Sequence, residues 1–140
     1  MSFLFTHAKT KIAKGQIDLS TDTLKVLLVG TLSNANTKED ADVLDDITLD
    51  EFSDATYSRK TVTGQTVTND DGNKQSIFDM DDVDWPSLDG DTAKGVIIYK
   101  HMTDDSDSIP IAHIDTGGFS VTPSTQDFRI KWNAGGVFTW

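Results

Sequence analysis

The chain has 140 residues, no cysteine, 36% hydrophobic residues and a formal net charge of −11, from 12 Lys and Arg against 23 Asp and Glu. Without cysteine there is neither a disulfide nor a thiolate metal site, so packing and hydrogen bonding must hold the fold. So few cations among so many acids argue against DNA or RNA as partner, because phosphate affinity comes from Lys and Arg.

The length suits a single β-rich domain, residues 1–140, with its own core. The N-terminal run Met1-Ser-Phe-Leu-Phe-Thr-His7 is too short in apolar residues for a signal peptide, and no stretch approaches membrane-spanning length. The expectation is a soluble chain made in the cytoplasm, with no membrane partner and no targeting tail after Trp140. His7 to Lys14 has helix-forming residues closed by Gly15, which predicts a two-turn helix with a C′ glycine. Thr23 to Val29 shifts from mixed alternation to a continuous apolar run, the pattern of a central strand buried on both faces and ended by Gly30.

From Thr37 to Phe52 the pattern changes. Val43, Leu44, Ile47 and Phe52 recur at spacings near three and four, which predicts one or two short helical segments, the second opened by Thr48 as N-cap with Glu51 three residues on. Tyr57 to Thr68 carries two Thr-Val-Thr arms, 61–63 and 66–68, around Gly64-Gln65. They predict a type II′ hairpin, or alternatively one long strand bulged at Gly64. A turn at Asn69–Asn73 leads into Ser76–Trp85, which alternates with Phe78 and Met80 on one face and stops at Pro86.

Four more strands follow, at 93–100, 108–115, 119–122 and 127–132, and Asn133-Ala-Gly-Gly136 turns the last of them into a final strand at 137–140. The fold class expected is all-β: a single-domain antiparallel β-sandwich or barrel of about seven to nine strands, with a short N-terminal helix and a small helical insertion. Phe78, Val96, Ile98, Ile114, Phe128, Ile130 and Trp132 are expected in the core.

Only Glu39 and Glu51 among the acids are Glu; Asp dominates and falls mainly where strands end, where its side chain can bond nearby backbone. Two acid-rich knots, Asp70, Asp71 and Asn73 around Gly72 and then Asp104, Asp105 and Asp107, offer hard oxygen ligands, yet neither matches an EF-hand loop. Asp79, Asp81, Asp82 and Asp84 could pair as glycosidase carboxylates only with a geometry that spacing does not supply. His7, His101 and His113 lack metal-ligand spacing, and no Walker A, GxSxG or GxGxxG pattern occurs. No catalytic, cofactor-binding or metal-ligating residue is assigned, and no cofactor is expected.

The order of segments carries a further signal. Lys11–Leu19, Asp22–Val29, Tyr57–Thr68, Ile77–Trp85, Ala93–Lys100, Ile109–Asp115 and Asp127–Phe138 resemble, in order and nearly end to end, small virion structural proteins of tailed bacteriophages. The resemblance implies a capsid decoration (cement) protein or other virion-surface component without enzyme activity, located in the virion. Its implied partners are the major capsid protein or other virion proteins, with self-association on the particle, and neither nucleic acid nor membrane. Two alternatives stay open. One is a tail-associated subunit of tube, terminator, baseplate or fibre; the other is a carbohydrate-binding β-sandwich that uses Trp85 or Trp140, each of which is also explained as a strand-end core residue.

The candidate partner interface is the N-terminal segment. Phe3, Leu4 and Phe5 must be covered by something, because each side chain left in water forfeits about 1.5–3 kcal/mol. They either pack on the chain's own core or anchor it to a neighbouring subunit, with Lys9, Lys11 and Lys14 meeting acids there. Under the anchor reading, residues 1–6 are dispensable for folding.

Overall fold

The structure is a computed structural model that describes residues 2–140. Its ten strands in chain order are β1 (Phe3–Leu4), β2 (Leu24–Val29), β3 (Lys60–Thr61), β4 (Thr66–Asp70), β5 (Gln75–Asp79), β6 (Val83–Asp89), β7 (Gly95–Lys100), β8 (Ile109–Ile114), β9 (Ser124–Ile130) and β10 (Phe138–Thr139). One helix, α1 (Thr6–Ala13), follows β1. With 37% of residues in strand and 10% in helix, and every sheet antiparallel, the fold is all-β with a small helical element.

The apolar run of β2 places it inside a five-stranded sheet ordered β1-β8-β7-β2-β3, where five of its six residues are buried. Its neighbour β7 is as apolar, and the pair stays in register from Leu24 opposite Lys100 to Val29 opposite Gly95. A second sheet, β10-β5-β4, and a two-stranded ribbon, β6-β9, complete the architecture. Side chains from all three form one contiguous buried cluster, with Phe5, Trp85 and Tyr99 among its largest members. The helix ends as its glycine predicts. Gly15 adopts φ +69°, and the Gly15 and Gln16 N–H groups return to the Ile12 and Lys11 carbonyls.

Several expectations are corrected. The two Thr-Val-Thr arms do not pair with each other: β3 joins β2, while β4 joins β5 in the other sheet. Gly64 does turn the chain, at φ +64°, but the Gln65 side chain donates to the Leu19 and Asp22 carbonyls and holds the turn to a distant loop. Pro86 does not end a strand. It lies within β6, at a register shift between Trp85 and Leu88, and β6 has β9 as its neighbour on one side only, so the missing N–H breaks no inner ladder.

The 119–122 strand reduces to a bridge between Val121 and Ala93, and β10 pairs with β5 rather than folding back on β9. The helical insertion is two single 3-10 turns, Ala35–Thr37 and Leu44–Asp46, with no helix at Thr48. Leu44 still reaches the core from the second of these turns, its N–H on Ser108 O, and Ile47 and Phe52 reach it from the irregular backbone that follows. Of the expected core, Phe78, Val96, Ile98 and Ile130 are buried, whereas Ile114, Phe128 and Trp132 are half-buried against its margin.

Candidate functional site

The N-terminal segment is covered by this chain itself. Phe3 and Leu4 pair with His113 and Ala112, and the Phe5 N–H donates to the Ile111 carbonyl at 2.9 Å. Phe5 is fully buried and Leu4 nearly so, while the half-buried Phe3 ring lies edge-on to Phe5 at 5.1 Å and 5.3 Å from the His113 ring. Lys9 meets Glu39 at 3.3 Å and Lys11 meets Asp42, both acids of the same chain, and Lys14 is exposed beyond them. The structure thus brings Phe3, Leu4 and Phe5 together, but as core. A role for Leu4 and Phe5 as anchors into a neighbour is corrected, because no surface of Phe5 is left to offer.

A second constellation, which sequence reasoning missed, is built on Arg59. Its guanidinium donates through Nε and one terminal nitrogen to Glu51 at 2.9 and 2.8 Å, through both terminal nitrogens to Asp105 at 2.6 and 2.8 Å, and to the Tyr99 hydroxyl at 3.3 Å. Tyr57 donates its hydroxyl proton to Glu51 and accepts the Leu28 N–H. Burial, reinforced by the Glu51 charge, pushes the Tyr57 phenol far above its ordinary range, and the Arg59 bonds hold the Asp105 carboxyl below the usual carboxylate range. This is a satisfied ion cluster, and it ties the 51–59 segment to the 104–107 loop. The one sequence signal for it was that Glu51 is one of two Glu in an Asp-rich chain.

Apart from Asp105, the knots use their carboxylates to close turns. The Asp70 carboxylate accepts from the Asn73 N–H at 3.2 Å and from its Nδ2 at 2.7 Å, and Asp107 accepts the Thr103 and Asp104 N–H groups at 2.9 and 3.0 Å. These bonds favour the charged form and lower the pKa of both acids. Among the described residues, no group of three or more His, Asp or Glu side chains is placed to hold a metal ion. As a sugar platform Trp85 is corrected, since it is fully buried with its indole N–H on the Ser58 carbonyl at 2.7 Å. Trp140, for which a strand-end core position was the other reading, is 43% exposed.

That exposed Trp140 belongs to the surface most suited to a partner, the β10-β5-β4 sheet. Cross-strand neighbours share a face, so Phe138, Phe78 and Val67 form one apolar row across the three strands. The Phe78 and Phe138 rings stack at 4.8 Å, and Phe78 is fully buried. The row then runs out at β4, where Val67 is 41% exposed, and at its other end Trp140 lies 5.8 Å from the Phe138 ring. Thr66, Val67, Thr68 and Asn69 are all exposed, and no strand lies beyond β4 among the described residues.

Which β4 groups remain free follows from the other side of the sheet. Ser76 and Trp140 exchange both backbone hydrogen bonds, and the Phe78 carbonyl accepts from Val137, so Ser76 and Phe78 face β10. By the alternation of an antiparallel ladder, Gln75, Ile77 and Asp79 face β4, opposite Asp70, Thr68 and Thr66. Val67 and Asn69 therefore direct their N–H and C=O groups outward. Compared with family models, curated proteins and solved structures, the chain matches none of them.

Proposed function

We propose that this protein is a non-enzymatic structural component of a tailed-phage virion, and specifically a decoration (cement) protein bound to the outer surface of the head. The reading rests on the order of strand segments described above and on one structural observation. A sheet carries an apolar row out to an open edge at Val67 and leaves Trp140, at its opposite edge, also partly in water. Such a surface gains by being covered with another protein, and on a lattice many copies of a modest contact add up to a stable coat. The acidic loops, their carboxylates engaged in closing turns, keep the rest of the surface solvated.

Counting the copies in purified virions by quantitative mass spectrometry tests the reading. Hundreds of copies per particle are expected, and they should be retained on heads separated from tails. A handful to tens of copies on tail fractions would move the protein to the tail, and none in the virion would refute the proposal. On undecorated heads, Trp140→Asp should lower binding while the chain stays folded, as circular dichroism would show.

A further inference from the structure

Open sheet edges attract other strands, and proteins commonly blunt them with Lys, Pro, bulges or brevity. Most edges here are blunted in that way. β1, β3 and β10 are two residues long, and β3 carries Lys60. β6 holds Pro86 and an irregular register, while β9 places Asp127 and Arg129 along its length. Among the described residues, β4 is the edge without such protection: Thr66, Val67, Thr68 and Asn69 are uncharged, regular in register and exposed.

The same segment is self-complementary. We propose that β4 joins a second copy of this chain, antiparallel, with Val67 of one copy opposite Val67 of the other. The outward-facing backbone of Val67 then forms a hydrogen-bonded pair on the two-fold axis, and Thr66 of each copy faces Thr68 of the other, a favourable cross-strand pair. The apolar row becomes continuous through the two copies of Val67, and two three-stranded sheets fuse into one of six. A two-fold axis at Thr68 is poorer, because it sets Val67 against Asn69 and Thr66 against Asp70.

The Val67 register puts no acid directly opposite another. It does bring Asp70 of one copy opposite Gly64 of the other, next to the Asp81 carboxylate that bonds Thr63. Together with a net charge of −11 on each copy, this makes the association weak at low salt and stronger as salt screens the repulsion. The inference stands apart from the virion reading, since it concerns the purified chain alone. On a particle it would supply a dimeric coat unit.

Sedimentation velocity of the full chain over a concentration series, at about 0.05 M and about 0.5 M NaCl, provides the test. A monomer–dimer equilibrium is expected, with the dimer favoured at the higher salt. Val67→Pro removes the outward donor without touching the β4–β5 ladder, and Val67→Lys places like charges across the axis. Each should weaken dimerisation at least about tenfold. Circular dichroism and melting of the Val67→Lys monomer guard against a folding defect.

Because the chain lacks cysteine, single replacements also report the register. Val67→Cys should cross-link copies under mild oxidation, since Cα atoms about 5.5 Å apart suit a disulfide, and Leu32→Cys, although more exposed to oxidant, should not. A monomer at every concentration and salt would overturn the proposal and leave the edge to a strand of a different protein. A dimer indifferent to Val67→Lys would overturn it, as would Thr68→Cys or Leu32→Cys linking as fast as Val67→Cys.

Discussion

Replacing Arg59 by Met keeps the aliphatic stem and removes the guanidinium that Glu51 and Asp105 share. The two carboxylates are then left facing a common space, with side chains 21% and 33% exposed. Removing one partner of a fully buried ion pair costs about 3–5 kcal/mol. Partial solvation of these two acids reduces that, and about 2–3 kcal/mol is expected at pH 7. For a chain of this length, the loss corresponds to a melting temperature lower by about 6–10 °C.

The deficit should also depend on pH. Arg59 depresses the Asp105 pKa in the folded state, with burial opposing it. A depressed carboxylate contributes stability that is complete above its unfolded-state pKa, about 3.9, and is lost as pH falls through the lower folded value. Wild type and Arg59→Met should therefore differ most near neutrality and converge below about pH 4, when followed by urea unfolding at several pH values. A difference below about 0.5 kcal/mol at pH 7, or one that stays constant into acid, would refute the view that this cluster locks the 51–59 segment to the 104–107 loop.

Phe5→Ala should destabilise the protein by about 3–5 kcal/mol, the range for emptying a fully buried aromatic site, and deletion of residues 2–6 should cost at least as much in thermal melts. A truncated chain that melts like the full one would mean that the segment is not core. Gly136→Ala should detach β10: at φ +103° the new Cβ would sit 2.3 Å from Ile77 Cγ2 and 2.9 Å from the Phe78 carbonyl, a strain of about 2 kcal/mol or more. Amide exchange reads it directly, because the Val137 and Trp140 N–H groups, which donate to Phe78 and Ser76, should lose protection while β7 keeps its own.

The strands β2, β7 and β8 and the helix α1 were legible in the sequence, because each is announced by local pattern: a continuous apolar run, or helix formers closed by a glycine that reaches φ +69°. Pairing was not legible. Two Thr-Val-Thr arms around Gly64 read as a hairpin, and what separates them is the Gln65 amide on two carbonyls more than forty residues earlier, a contact with no local signature. Pro86 misled in the same way. Its cost depends on whether a strand lies on its N–H side, which only the sheet order decides.

The candidate site divides along the same line. The apolar character of Phe3, Leu4 and Phe5 demanded cover, but composition does not say whose surface provides it, and here the answer is β8 of the same chain. Val67 has the same Thr-Val-Thr setting as Val62, and local pattern does not tell them apart. Only the edge position of β4, beside the buried Phe78, makes Val67 a candidate.

The pairing of β1 with β8 also bears on how the chain acquires its structure in time. Phe3 and Leu4 find their partners at His113 and Ala112, and β2 waits for β7, so the central sheet is assembled from contacts far apart along the chain. Folds of this kind form in milliseconds to seconds rather than microseconds. Synthesis at about 5–20 residues per second leaves Phe3, Leu4 and Phe5 without their sheet for about 5–20 s while the intervening chain is made. The side chains that close the core are made more than a hundred residues before the strand that covers them, and for that interval the nascent chain presents them as a hydrophobic handle to whatever holds unfinished proteins in solution.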